Sequence, residues 1–156
     1  MWRKTRGATE KMTEELEKQL FDKYPEIFRD KDKPMNETCM CWGIDTGGDG
    51  WYNLLDELLA RIKFMCDSFG VKIIADQVKS KYGGLRFYNH GTSNETLSRE
   101  TNRQIHDVID ALINEAESRS YKTCEECGDW AKTTTIGGWV YTLCDKCKEK
   151  HSLNVK

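Results

Sequence analysis

The chain has 156 residues, of which 38% are hydrophobic, 32% charged and 10% aromatic. That balance fits one soluble globular domain, or a small domain with an appended module, and excludes both a disordered chain and a membrane protein. Twenty-four Lys and Arg against 26 Asp and Glu leave a formal charge of −2, so no overall basic field exists to hold a long nucleic-acid backbone, and any nucleic-acid site must be local.

Residues 1–11 carry Trp2, Arg3, Lys4, Arg6 and Lys11 without periodicity and read as a disordered leader. From Thr13 the pattern changes. Leu16, Leu20 and Tyr24 recur at helical spacing until Pro25 forces a stop, which predicts one short amphipathic helix. Residues 26–50 contain Pro34 and a cluster of glycines from Gly43 onward, and read as a long ordered loop. Cys39, Met40, Cys41, Trp42 and Ile44 favour burial and should hold that loop on the core.

The strongest periodic signal is the stripe Trp51, Leu55, Leu58, Leu59, Ile62, Met65 and Phe69, with Gly70 as the C-cap of a long helix. Residues 71–78 and 85–88 then read as two β-strands joined through Lys81-Tyr82-Gly83-Gly84 into a hairpin. Thr92 and Glu95 have capping-box spacing ahead of another long helix, whose expected buried face is Leu97, Thr101, Ile105, Val108, Ile109, Leu112 and Ala116. The expected fold class is α+β: amphipathic helices packed on a β-hairpin over residues 12–120, then a zinc ribbon with a short tail over 121–156. A body this thin also makes a homodimer a natural expectation.

The cysteines carry the most specific chemistry. There are seven, no signal-peptide pattern opens the chain, and no apolar run approaches the ~18 residues of a membrane helix. These features predict a cytoplasmic protein without membrane association, and in a reducing compartment paired cysteines read as metal ligands before disulfides. Cys124-x-x-Cys127 and Cys144-x-x-Cys147 are separated by sixteen residues, enough for a hairpin that brings the two pairs onto one ion. Residues 130–135 and 139–143 favour strands, and Ile136-Gly137-Gly138 supplies the turn. Four thiolates select a single structural Zn2+, or iron under some conditions, and leave no open position for catalytic water. Loss of the metal is expected to unfold the ribbon while sparing the body.

The other cysteines and histidines form no comparable pattern. Cys66 lies on the apolar side of its helix and reads as a small core hydrophobe, while Cys39, Cys41, His90 and His106 have no ligand or nucleophile spacing. The segment Asp45-Thr46-Gly47-Gly48-Asp49-Gly50 leads into the long helix and has two readings. One is a simple N-cap; the other is an anion site of exposed backbone N–H groups, with Trp42, Trp51 or Tyr52 stacking on a base. The hairpin adds Lys79, Lys81, Tyr82, Arg86 and Tyr88, a cluster able to grip a nucleotide through phosphate contacts and stacking, or to serve as a solvated, aggregation-resistant edge.

The strings Met35–Gly43, Gly48–Trp51, Gln77–Lys79, Gly84–Tyr88 and Thr123–Gly128, followed by Gly138-Trp139 and Thr142-Leu143-Cys144, together resemble a group of small uncharacterised proteins of tailed bacteriophages. The likeness spans about Tyr24 to Cys147, and the proteins it resembles tend to be shorter at Thr46-Gly47-Gly48. It implies a setting in the host cytoplasm, where accessory proteins bind host proteins, nucleic acids or nucleotide signals of defence. Two expectations follow. The first is a non-catalytic binder of a small phosphate-bearing ligand, such as an immune nucleotide, through Trp42, Trp51, Tyr52, Lys81, Arg86 and Tyr88. The alternative is a zinc-ribbon adaptor that docks a host protein or nucleic acid and so inhibits or redirects it. An enzyme ranks last, because no carboxylate pair, open metal position or nucleophile motif is present.

Overall fold

The computed structural model describes residues 11–154. The expected leader lies outside the described residues except for Lys11, whose Nζ donates to the Trp42 carbonyl at 2.8 Å. The architecture is α+β: helix α1 (Glu14–Lys23), a 3-10 turn (Met40–Trp42), β1 (Ile44–Asp45), α2 (Tyr52–Phe69), β2 (Lys72–Lys81), β3 (Gly84–Thr92), α3 (Arg99–Ser120), β4 (Lys132–Ile136), β5 (Trp139–Leu143) and α4 (Asp145–Asn154). Among the described residues no helix is long and apolar enough to cross a membrane.

Helix α2 buries Leu54, Leu55, Leu58, Leu59 and Ile62 and ends at Gly70, whose left-handed φ of +64° lets its N–H reach the Cys66 carbonyl at 2.9 Å. The apolar stripe runs on past the core, leaving Phe69 39% exposed. The β2–β3 hairpin turns on Tyr82 and Gly83, both at positive φ (54° and 78°), the mirror-image turn geometry that matches strand twist. Strand alternation places Val78, Ser80, Leu85 and Phe87 inside, and Gln77, Lys79, Lys81, Arg86 and Tyr88 on the outer face.

The expected long loop before α2 contributes more than a cover. Ile44 and Asp45 pair in parallel with Val78 and Lys79, so the sheet has three strands in the order β1-β2-β3. Upstream on the same edge, Ala75 N–H donates to the Ile27 carbonyl at 2.8 Å. A two-residue strand has no alternation to read, which is why the sequence shows only loop chemistry there. The opposite edge of the sheet is closed by α3, where the Leu85 N–H donates to Ser120 Oγ and the Phe87 N–H to Glu117 Oε1. That satisfies an edge that would otherwise invite aggregation.

The start of α3 differs from expectation. Thr92 ends β3, and the cap is Ser98, whose Oγ accepts the Thr101 N–H at 3.0 Å. The connection is ordered by the buried Asn102, which accepts from Asn94 N at 2.8 Å and donates to Asn94 O and Ser98 O at 2.9 and 3.0 Å. The buried face is accordingly Asn102, Ile105, Ile109, Ile113, Ala116 and Ser120, with Val108 47% exposed. Ile105, Ile109 and Ala116 of the expected stripe are buried, and Leu97 and Leu112 pack partly against the core, while Asn102, which replaces missing backbone partners and looks polar in a hydrophobicity pattern, takes the place expected of Thr101.

The ribbon hairpin forms as expected, with Gly137 and Gly138 at the turn (φ 57° and 82°). Its tail is not a tail. Asp145–Asn154 is helical and is tied back by His151, which is 4% exposed, bonded through Nε2 to Glu126 and stacked 5.3 Å from the Tyr141 ring.

Candidate functional site

Two short segments present the four thiols. In the first, Gly128 adopts a φ of +81° and its N–H bonds back to the Cys124 carbonyl at 3.0 Å, curling Cys124–Cys127 into a knuckle. In the second, Cys144 immediately precedes α4 and Cys147 lies in its first turn. The Sγ atoms of Cys124, Cys127, Cys144 and Cys147 all lie within 4.8 Å of one another, with Cys127 and Cys144 at 3.6 Å. A tetrahedral ion with Zn–S bonds of ~2.3 Å requires sulfurs ~3.8 Å apart, so the four thiols are grouped closely enough to converge on one metal ion. The arrangement is consistent with a zinc ribbon.

The thiols show how a metal would be held. Burial pushes Cys127 up to about 11 against the opposing hydrogen bond from the Asp129 N–H, and burial also drives Cys147 well above its ordinary value. Cys144 lies below its ordinary value: burial raises it, but the Cys147 backbone N–H and the neighbouring thiols favour its thiolate and outweigh that effect. Backbone N–H donors aimed at sulfur are the outer support expected of a thiolate metal site. Cys39 and Cys41 are exposed and Cys66 is half-buried. Burial raises the Cys66 thiol, which suits a packing role over a reactive one. Among the described residues, the Cys124/Cys127/Cys144/Cys147 set is the group of His, Cys, Asp and Glu that clusters at metal-binding distance.

The glycine-rich loop before α2 is occupied by the ribbon itself. Gly50 N–H donates to the Glu125 carbonyl at 2.9 Å, and a Cβ on Gly50 would stand 2.0 Å from the Cys124 carbonyl oxygen. At Gly47 a Cβ would approach the Glu125 side chain to 3.1 Å. The glycines thus allow backbone to meet backbone at the metal knuckle. Glu125 is fully buried, accepts from Ser80 Oγ, and takes the Thr142 N–H at 3.3 Å. Thr142 Oγ1 in turn donates to the Gly83 carbonyl at 2.6 Å. Glu125 and His151 act here as joints between ribbon and body or helix, and no spacing rule in the sequence marks them.

The six residues expected to bind a ligand do not form one site. Trp51 is fully buried, with its Nε1–H donated to the Thr123 carbonyl at 2.8 Å, so its ring is core and offers no stacking platform. Tyr52 is half-buried and donates its hydroxyl to Gln19 Oε1 at 3.1 Å, between α1 and α2. Trp42, 38% exposed, borders a cleft of about 400 Å3 lined by acids and lysines including Glu14, Glu17, Lys11 and Lys31.

Lys81, Arg86 and Tyr88 do share the outer sheet face. Arg86 lies across from Lys79, with Lys81 further along the same strand. Lys79 Nζ sits 5.8 Å over the Tyr88 ring, and Tyr88 and Tyr82 are 44% and 69% exposed. Arg86 is held in place by Tyr121, whose hydroxyl accepts from it at 2.9 Å and thereby raises the guanidinium pKa above its ordinary value. Gly84 makes room for that ring, since a Cβ there would fall 2.3 Å from Tyr121 Cζ.

Comparison with known protein families, curated proteins and solved structures gives no match.

Proposed function

We propose that the protein is a non-catalytic binding module in which a zinc-loaded ribbon braces a cationic, aromatic sheet face that captures a phosphate-bearing ligand. The observation that carries this reading is the alignment of Lys79, Lys81 and Arg86 beside Tyr88 on the outer face of β2–β3. None of the three cations makes an ion pair among the described residues; of the nearby acids, Asp45 stands next to Lys79 in register and the Glu117 charge acts on Arg86. Cations two residues apart on a strand are spaced ~7 Å, and an open sheet face with tyrosines allows bases to stack while phosphates meet lysine and arginine. An open face lets the bases of a short strand or dinucleotide stack while their phosphates stay within reach of the cations. Zinc is the ion assigned to the four thiolates, because a tetrahedral four-sulfur set suits zinc and closes its coordination sphere. The likeness to tailed-phage proteins adds a cytoplasmic setting in which capture would withhold a nucleotide signal of host defence.

The test uses the zinc-loaded chain with two probes, a cyclic dinucleotide followed by calorimetry and a labelled single strand followed by fluorescence anisotropy. Wild-type binding to either probe is expected to fall at least tenfold in the Lys79→Ala/Lys81→Ala/Tyr88→Ala variant, while Trp42→Ala binds as wild type. Absence of binding to both probes, or equal binding by the triple variant, overturns the assignment of this face.

A further inference from the structure

The cationic, aromatic surface does not stop at the hairpin. Along β2–β3, Tyr88 stands opposite Gln77, Arg86 opposite Lys79 and Gly84 opposite Lys81. Gly84 offers no side chain, and the ring of Tyr121, just past α3, fills its place 5.9 Å from the Arg86 guanidinium carbon. The ribbon continues the surface beyond the hairpin tip, where a Cβ on Gly83 would stand 3.3 Å from the Thr133 methyl. Beside Tyr121, the Lys122 carbonyl accepts the Ala131 N–H at 3.0 Å. Ala131 is buried while its neighbours Trp130 and Lys132 are exposed, with Lys132 Nζ 5.3 Å from the centre of the Trp130 ring.

A cation set against a ring therefore recurs four times from sheet to ribbon: Lys79 with Tyr88, Lys81 with Tyr82, Arg86 with Tyr121 and Lys132 with Trp130. None of these four cations makes an ion pair among the described residues. We propose that the row is a track for single-stranded nucleic acid that runs from the outer sheet face onto the ribbon, with Trp130 as a stacking platform and Lys132 as a phosphate partner. Resting on the capture of phosphate-bearing ligands by the sheet face, the track narrows that ligand to a strand longer than a dinucleotide. Repeated pairs of ring and cation match a polymer whose repeat is one base and one phosphate. A duplex hides its base faces, so the rings select unpaired bases. A dinucleotide can engage two units at most, whereas four units suit about four nucleotides, the short end for such tracks. Asp45, Glu117 and Asp129 flank the row, which limits its hold on a long backbone and leaves stacking to supply much of the affinity.

Fluorescence anisotropy of the zinc-loaded chain tests this with a labelled deoxyuridine octanucleotide, its ribose counterpart, a deoxyuridine dinucleotide and the octanucleotide annealed to its complement. The single-stranded octanucleotide should bind at least ~30-fold tighter than the dinucleotide, beyond the few-fold that extra registers on a longer strand supply, and at least ~10-fold tighter than the duplex. Rings and cations do not read the 2′-hydroxyl, so the two octanucleotides should agree within ~3-fold. Trp130→Ala/Lys132→Ala, with unchanged zinc content, should weaken octanucleotide binding at least ~10-fold and flatten its logarithmic salt slope by ~0.7, while dinucleotide binding changes less than ~2-fold because three units remain. Equal octanucleotide binding by that variant, or equal binding of octanucleotide and dinucleotide, overturns the track and leaves capture by the sheet face standing. Octanucleotide binding retained in Lys79→Ala/Lys81→Ala/Tyr88→Ala would place the strand on the ribbon alone, and a duplex bound as tightly would remove the role of the rings; either overturns the track. A larger gap between the ribose and deoxyribose strands overturns this set of contacts. Absence of binding to every probe overturns both the track and the sheet-face reading beneath it.

Discussion

Replacement of Gly50 by alanine tests the claim that the glycine-rich loop exists to admit the metal knuckle. The new methyl would lie 2.0 Å from the Cys124 carbonyl oxygen and 2.7 Å from both the Glu125 carbonyl carbon and the Gly128 nitrogen. All three are backbone atoms, so no side chain can swing aside, and the knuckle must retreat by ~1.4 Å to reach ordinary contact. That retreat breaks the Gly50–Glu125 hydrogen bond and weakens the one from Trp51 Nε1 to Thr123. Overpacking costs ~1–3 kcal/mol, and the two hydrogen bonds ~1 kcal/mol each, for an expected loss of ~3–5 kcal/mol. The control is Gly137→Ala in the ribbon turn, where φ is +57° but no atom lies within 4 Å of the new methyl; backbone strain alone should cost ~1–2 kcal/mol. Urea unfolding followed by tryptophan fluorescence measures both, with Co2+ absorption in place of zinc to report on the thiolate site. If Gly50→Ala is destabilised no more than Gly137→Ala, the close-packing account of the loop is wrong.

Elemental analysis should give one zinc per chain, and Cys144→Ser should lose it and, contrary to the expectation from sequence that the body is spared, lower the unfolding midpoint of the whole chain, because the ribbon is joined to Trp51, Ser80 and Gly83; a body transition identical to wild type would refute the coupling. Cys127 and Cys147 hold their protons at neutral pH in the metal-free protein, so zinc binding at pH 7 should release at least about two protons per chain; binding enthalpies that do not change between buffers of different ionisation enthalpy would contradict this. Asn102→Ala removes the acceptor and donor that order the β3–α3 connection and should cost ~2–3 kcal/mol, read as a shift in denaturation midpoint. The Asp56 carboxyl is held below the ordinary range: burial raises it, but hydrogen bonds from Lys23 and Tyr24 outweigh this. Its contribution should be present above pH ~4 and vanish as pH falls through the lowered folded value, so the stability gap between wild type and Asp56→Asn must narrow on acidification.

Much of this fold can be read directly from residue patterns. The α2 stripe, its Gly70 cap, the β2–β3 turn and the paired Cys-x-x-Cys motifs are local signals in which one periodicity or one backbone requirement has one solution. The illegible parts depend on distant partners. Ile44-Asp45 becomes a strand because β2 offers an edge, and α4 folds because His151 finds Glu126 and Tyr141. Trp51 looked like a platform beside a glycine loop because nothing local reveals that residues 123–125 fill the space above it. The cationic hairpin face was visible because alternation within two adjacent strands is enough to place Lys79, Lys81, Arg86 and Tyr88 together. Trp42 and Tyr52 fell outside it because short sequence distance from a helix start does not fix which side of the core a ring takes.

The joint between ribbon and body also bears on synthesis. Trp51 bonds to a carbonyl 72 residues downstream, and Gly83 to a hydroxyl 59 residues downstream. A chain leaving the ribosome can form α2 and the β2–β3 hairpin early, but the core around Trp51 stays open until Thr123 arrives, and the joint is complete only when Thr142 has emerged to meet Glu125 and Gly83. Closing such long loops is slow relative to forming local elements. In a metal-loaded ribbon, the supply of the ion to the newborn chain would set the moment at which this joint with the body closes.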